Sequence, residues 1–328
     1  MEILTTLFLG QPLWMWLGFM ALVILLLALD LGVLHRGSHE IGVRESLALS
    51  AFYIVLGLLF GGFVWWQLGS TAGIEYLTGF VVEKSLAVDN IFVIATIFAY
   101  LSIPRRYQHR VLFWGILGVI VLRAIMIGFG ATLVAQYSWI LYLFAVFLIA
   151  TGIKMLWLGE GEADLSKNRL LAFVRRRFAV TDKLHGERFF VREEGEGGRP
   201  VTRATPLFLA LVLIEVADVV FAVDSVPAIF AITLDPYIVY TSNIFAILGL
   251  RALYFALAAV LHRFAYLKQA LAILLVFIGG KIFVADLLGW EKFPAEWSLA
   301  VTFAILASGV AYSLWRTRRE GKDSAATA

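Results

Sequence analysis

No cysteine occurs among the 328 residues of this chain. Disulfides, thiolate metal sites, iron–sulfur clusters and thiol redox chemistry on the chain are excluded with it. Charge is scarce too: 16% of residues are Asp, Glu, Lys or Arg, where a soluble domain carries about 25%. The net charge of +3 is small and scattered, so neither a nucleic-acid surface nor a water-soluble globule fits. All five histidines, His35, His39, His109, His185 and His262, fall in or beside hydrophilic connections, which leaves imidazole out of the apolar interior. Gly279, Gly280 and Lys281 lack the remaining spacing of a phosphate-binding loop. No nucleophile–base pair or open metal–histidine site stands out, so neither an enzyme nor a tightly bound cofactor is expected.

What is present is hydrophobic: 61% of the chain. Runs long enough to cross a bilayer, about 20 residues each, lie near Pro12 to Leu34, Ser46 to Leu68, Ile74 to Ile103, Val111 to Ala135, Trp139 to Leu158, Pro206 to Thr233, Ile238 to Leu261, Lys268 to Leu288 and Trp297 to Trp315. The sequence therefore predicts an all-α polytopic membrane protein of about nine transmembrane helices. The first run follows acidic Glu2 and is too long for a signal-peptide core, so it reads as retained.

Basic residues alternate from connection to connection. One set holds Arg36 and Arg44; Arg105, Arg106 and Arg110; Arg263 and Lys268; and Arg316, Arg318, Arg319 and Lys322, whereas the intervening connections carry only Lys292. By the positive-inside rule the N-terminus lies outside and the C-terminus in the cytoplasm. The ten tryptophans sit near the expected helix ends, as an interfacial belt requires. Residues 159–205, with ten basic and eight acidic side chains, form the one sizeable hydrophilic segment. It reads as a cytoplasmic insert, with a short amphipathic helix at Leu170 to Val180 and a hairpin joining Arg188–Arg192 to Arg199–Arg203.

An internal repeat organises the rest. Glu83-Lys-Ser-Leu-Ala-Val-Asp89-Asn90 in the third run matches Asp218-Val-Val-Phe-Ala-Val-Asp224-Ser225 in the sixth. Ile116-Leu117-Gly118 with Arg123 then matches Ile247-Leu248-Gly249 with Arg251, and Gly152-Ile-Lys154 matches Gly280-Lys281. Each unit is three helices marked in order by acid, arginine and lysine. Three is odd, so the two units run through the membrane in opposite senses, a construction common in secondary transporters. The organisation expected is two N-terminal helices over 1–70, the first unit over 74–158, the insert over 159–205, the inverted second unit over 206–288, and a last helix with its cytoplasmic tail over 297–328.

An acid at the centre of a spanning helix costs about 2.5 to 3.5 kcal/mol on insertion scales. Glu83, Asp89, Glu215, Asp218 and Asp224 therefore need compensation. Arg123 and Arg251 supply it at depth, and Lys154 and Lys281 could reach inward. Because the five acids exceed the two arginines, they are expected to bind an ion rather than only to hold the bundle together. A six-residue step on a helix turns by about 240°, so Glu83 and Asp89, or Asp218 and Asp224, cannot share a face, whereas Glu215 and Asp218 can. Either these helices are interrupted or their acids serve different sides. Pro227, three residues after Asp224, predicts either an unwound stretch with free carbonyls or a simple kink. Carboxylates with Asn90, Ser225 and backbone carbonyls form a hard oxygen set suited to Mn²⁺, Mg²⁺ or Ca²⁺. Met126 and Met155 lie outside the acidic helices and lend no support to a softer metal. Asp30 reads as an entry or gating acid or as a partner of Arg36; Asn243 as a pathway residue or a bond to a neighbouring helix; Asp286 as a solvated acid at a helix end.

The two acidic segments, together with Leu29-Asp30-Leu31-Gly32, Val121-Leu122-Arg123-Ala124 and Leu248-Gly249-Leu250-Arg251, resemble the TerC family, and the nine-span layout is similar to its Alx branch. The resemblance runs from about Leu29 to Trp315. It implies a bacterial inner-membrane exporter of manganese, with Mn²⁺ as the transported ion, the lipid bilayer as surroundings and protons as a candidate counter-ion. Members of the family are also associated with tellurium resistance and alkaline response, and some are described as redox modulators. A distant similarity to lysine-exporter-type transporters keeps an amino-acid or other small solute as an alternative substrate, and a stress-response scaffold without transport is a further one. Nothing in these residues sets an oligomeric state.

Overall fold

A computed structural model of the chain describes residues 2–32, 42–158, 180–181, 183–194, 200–257 and 267–326. A short α1 (Glu2–Thr5) and a two-residue ribbon, β1 (Leu7–Phe8) with β2 (Gln11–Pro12), precede the helices α2 (Leu13–Gly32), α3 (Val43–Leu68), α4 (Ser70–Tyr100), α5 (Arg105–Gln136) and α6 (Ile140–Leu158). After the insert come α7 (Pro206–Phe230), α8 (Pro236–Leu248), α9 (Leu250–Leu257), α10 (Leu267–Leu287) and α11 (Ala295–Ala326). The protein is an all-α polytopic membrane protein. Among the described residues six helices are long and apolar enough to cross a membrane, or seven when α8 and α9 are one bent span. Two further helices stand where spans are expected. The apolar part of α2, Leu13–Leu29, is shorter, and α4 is long but carries Glu75, Glu83, Lys84 and Asp89. Large apolar side chains such as Trp66, Phe129, Trp157 and Leu287 stand exposed on the outer faces, as surroundings of lipid allow and water does not.

Of the two outcomes expected at Pro227, the unwound stretch does not occur. α7 runs unbroken through Pro227, so the proline forfeits a hydrogen bond without unwinding the helix at Asp224. The interruption falls instead at Gly249, where α8 and α9 meet at 40°. Ending α8 there leaves its last carbonyls without a following turn, and the ammonium of Lys84 donates to the Ala246 carbonyl at 2.8 Å. α8 is well started: Asp235 caps it by accepting from the Tyr237 amide at 2.8 Å and also receives Gln11 Nε2 at 3.0 Å, with Pro236 at the first helical position.

Helix pairing is reciprocal. α5 packs on α7, and α4 packs on α8. Along α5 and α7, Gly118 meets Glu215 and Gly130 meets Phe230; along α4 and α8, Gly79 meets Ser242 and Lys84 reaches Ala246. The partners rise together, so both pairs are parallel. α6 and α10 form the most extensive contact and are antiparallel, since Gly152 meets Ala272 while Gly279 meets Ala145. A Cβ at Gly152 would stand 2.5 Å from the Ala272 carbonyl oxygen, and one at Gly279 2.5 Å from that of Ala145. Backbone cannot yield cheaply, so Gly152→Ala and Gly279→Ala should each destabilise the protein by about 1–3 kcal/mol. Gly280 has open space, and Gly280→Ala should hold or raise the unfolding midpoint in detergent; equal midpoints for all three variants would contradict this packing.

In the insert, β3 (Phe190–Glu194) pairs antiparallel with β4 (Pro200–Ala204), which is the expected hairpin. Arg110 of α5 donates to Glu187 at 3.2 Å and ties the hairpin to the start of that helix. The expected amphipathic helix at Leu170 to Val180 lies, but for Val180, outside the described residues.

Candidate functional site: a buried arginine and the cavity beside it

Arg123 is the centre of the molecule's charge. Its side chain is 1% exposed and it bonds to three other helices. Nε and Nη2 donate side-on to the two oxygens of Asp218 on α7, at 3.2 and 3.1 Å. Nη1 donates to Glu83 on α4, to Ser225 Oγ on α7 at 2.8 Å and to Asn243 Oδ1 on α8 at 3.2 Å. A guanidinium is the one side chain whose planar fork can serve so many acceptors at once. Asn243 bonds a neighbouring helix through Oδ1, and its Nδ2 donates to the Val239 carbonyl of its own helix at 3.1 Å. Glu83 and Asp218 bring two formal negative charges to one positive, so the arginine is more than neutralised.

Beside this hub lies a cavity of about 40 Å³, lined by Leu86, Asp89, Asn90, Arg123, Met155, Phe221, Asp224, Ser225 and Leu275. Such a space holds two or three waters, or one partly hydrated ion. Thr151 of α6 donates to Asp224 Oδ1 at 3.3 Å and holds that carboxylate at the cavity edge. Asn90, 8% exposed, donates from Nδ2 to Asp218 Oδ1 at a long 3.5 Å.

The five acids expected to act together divide into three groups. Glu83 and Asp218 hold Arg123; Asp89 and Asp224 line the cavity with Asn90 and Ser225; Glu215 lies against Gly118 of α5, where an added Cβ would fall 2.0 Å from its Oε1. Among the described residues no three of His, Asp and Glu form a group able to hold a metal ion. The six-residue spacing is the cause. With α4 and α7 both regular, the acids at its two ends turn to different sides, while Glu215 and Asp218, three apart, both face α5.

The other candidates scatter. Arg251 is buried on α9 at 4% exposure, and Lys281 on α10 donates to Ser298 Oγ on α11 at 2.9 Å. Lys154 is exposed on α6 and Asp286 is exposed on α10. The side chain of Asp30 lies outside the described residues. Two participants and one further buried acid were not expected. Thr151 and Met155 reach the site from α6, and buried Glu75 pairs with Lys292 in the connection before α11. Thr151 precedes the repeated Gly152-Ile-Lys154, and Glu75 is an acid in an apolar run; those were the signals available.

The helices and the hub define a class: an α-helical multi-pass membrane protein with a buried ion-pair network and a small cavity beside it. Residues 68–321 match the family described as "Integral membrane protein TerC family", and the chain belongs to that family. It is 47% identical over 309 residues to "Uncharacterized membrane protein STKORF319" of Myxococcus xanthus, covering 94% of each chain. It is 46% identical to an "Uncharacterized membrane protein" of Rickettsia bellii, over 92% of this chain and 97% of that one. A protein of Escherichia coli (strain K12) named "Putative membrane-bound redox modulator Alx" is 45% identical over 96% of this chain and 98% of its own length. No solved structure gives a significant match.

Proposed function

We propose that the protein is a secondary transporter that exports a divalent cation, Mn²⁺ above others, across the bacterial inner membrane through the cavity beside Arg123. The observation that carries this reading is the pairing of two carboxylates, Asp89 and Asp224, with the neutral oxygens of Asn90 and Ser225 around one small cavity in the bundle core. Oxygen donors suit a hard or borderline divalent ion. Glu83 and Asp218 cancel the charge of Arg123, which would otherwise repel a cation from the same space. Two carboxylates with neutral oxygens and retained water bind less tightly than a cage of three or more acids, and cargo must leave as well as enter.

The reciprocal pairing of α4 with α8 and α5 with α7 supports the reading of two inverted units, which alternate access by rocking about a shared midplane site. The alternating basic connections favour an outside N-terminus and a cytoplasmic C-terminus. With no ATP-binding motif in the sequence, the driving force would be an ion gradient or that of the metal itself, and protons can reoccupy carboxylates that a cation vacates. The name of the Escherichia coli relative suggests a redox role; a thiol mechanism for one has no cysteine to use on this chain. Purified protein in liposomes should carry Mn²⁺ saturably, and excess lysine should not compete. Intact, monodisperse protein that carries no Mn²⁺, or flux that lysine inhibits, would overturn the assignment.

A further inference from the structure

We infer that Met155 is the residue by which the cavity prefers Mn²⁺, the softest of the three hard ions, over Mg²⁺ and Ca²⁺. This rests on the transport reading above and concerns the selectivity of the same site. By sequence Met155 belongs to neither acidic helix. The fold brings α6 against α7, however, and Met155 lines the cavity together with Asp89, Asn90, Asp224 and Ser225. Its side of α6 is fixed independently: Thr151, one helical turn earlier and so on the same face, donates to Asp224 Oδ1 at 3.3 Å. α6 thus offers the site a hydroxyl that orients one carboxylate and, a turn further on, a thioether.

Sulfur is the one polarisable donor among these lining groups. A thioether adds little for Mg²⁺, which holds its waters tightly and takes oxygen ligands, or for Ca²⁺, which takes six to eight oxygens. For an ion that accepts softer ligands it can replace a water. Of the remaining walls, Leu86, Phe221 and Leu275 are apolar, and Arg123, a cation held by Glu83 and Asp218, has no lone pair to give a metal. Asn90, more than nine-tenths buried, lines the same space and brings it a neutral amide. If Met155 were only a flexible filler of an irregular gap, an aliphatic residue of similar volume would serve every cation equally.

The test is metal binding to the purified full-length protein, taken as the difference from Asp224→Asn so that surface histidines do not contribute. Mn²⁺, Cd²⁺, Mg²⁺ and Ca²⁺ are the probes. Met155→Leu should weaken Cd²⁺ by roughly tenfold, the loss of one ligand, Mn²⁺ by less, and Mg²⁺ and Ca²⁺ not at all. Met155→Gln, which returns an oxygen at similar length, should restore Mn²⁺ while letting Mg²⁺ bind better than in the natural protein, a gain that misfolding cannot imitate. Loss of all four ions in equal measure, or no change in their order in either variant, would overturn the role of Met155 while leaving the transport reading intact. A natural protein that binds none of the four overturns both.

Discussion

Arg123→Leu should unfold the centre of the bundle, costing about 3–5 kcal/mol, the penalty for leaving buried acids without their counter-charge. The estimate follows from where Glu83 and Asp218 sit. Both are buried, at 3% and 5% exposure, and both spend their charge on this one guanidinium. Ser225 and Asn243 lose a donor at the same time. Arg123→Lys keeps the charge but cannot span four acceptor residues, so its loss should be intermediate. Adding Glu83→Gln and Asp218→Asn to Arg123→Leu should recover part of the stability, because the stranded charges are then removed. Denaturation in detergent micelles measures all three. A triple variant no more stable than Arg123→Leu would mean that the arginine stabilises by packing rather than by charge.

The second large effect is the opposite kind, a loss of transport without a loss of fold. Asp89→Asn and Asp224→Asn should each lower Mn²⁺ flux in liposomes by about a hundredfold or more, at least the loss that follows from disturbing a ligand's support, while the unfolding midpoint stays near that of the natural protein. Asp218→Asn, six residues from Asp224 and in the same motif, should behave differently. It sheds the side-on pair that holds Arg123, and stability should fall together with flux. This contrast between two acids of one motif separates a structural carboxylate from a transporting one. Normal flux in both Asp89→Asn and Asp224→Asn would remove the cavity from consideration as the pathway.

Helix periodicity reaches as far as the direction of each side chain and no further. The 240° step between Asp218 and Asp224 left either an interrupted helix or different sides for the two acids, and in the regular α7 one faces Arg123 and the other Thr151. Which neighbour stands on each side is a matter of packing between helices distant in sequence. Arg123 and Asp218 are 95 residues apart, and Thr151 and Asp224 are 73 apart. The same limit applies to Met155, which looks remote from the acids in the sequence until α6 is laid against α7. The sequence left an unwound stretch or a simple kink open at Pro227, and the observed break falls elsewhere. Pro227 is the stronger breaker by rule, yet α7 continues through it, whereas Gly249 ends α8 where Lys84 can take up the Ala246 carbonyl.

The sequence by itself determined the class, an all-α membrane protein, because length and hydropathy decide which segments can leave water. It also determined the family, through two acidic motifs in order, and it named the handful of charges that lie at depth. Only the tertiary structure decided what those charges do. It assigned Glu83 and Asp218 to Arg123, left Asp89 and Asp224 to line the cavity with Asn90 and Ser225, and set Glu215 apart against Gly118. The physical reason is that burial is a property of a segment, whereas compensation of a buried charge is a property of a pair, and the partners in these pairs come from different helices.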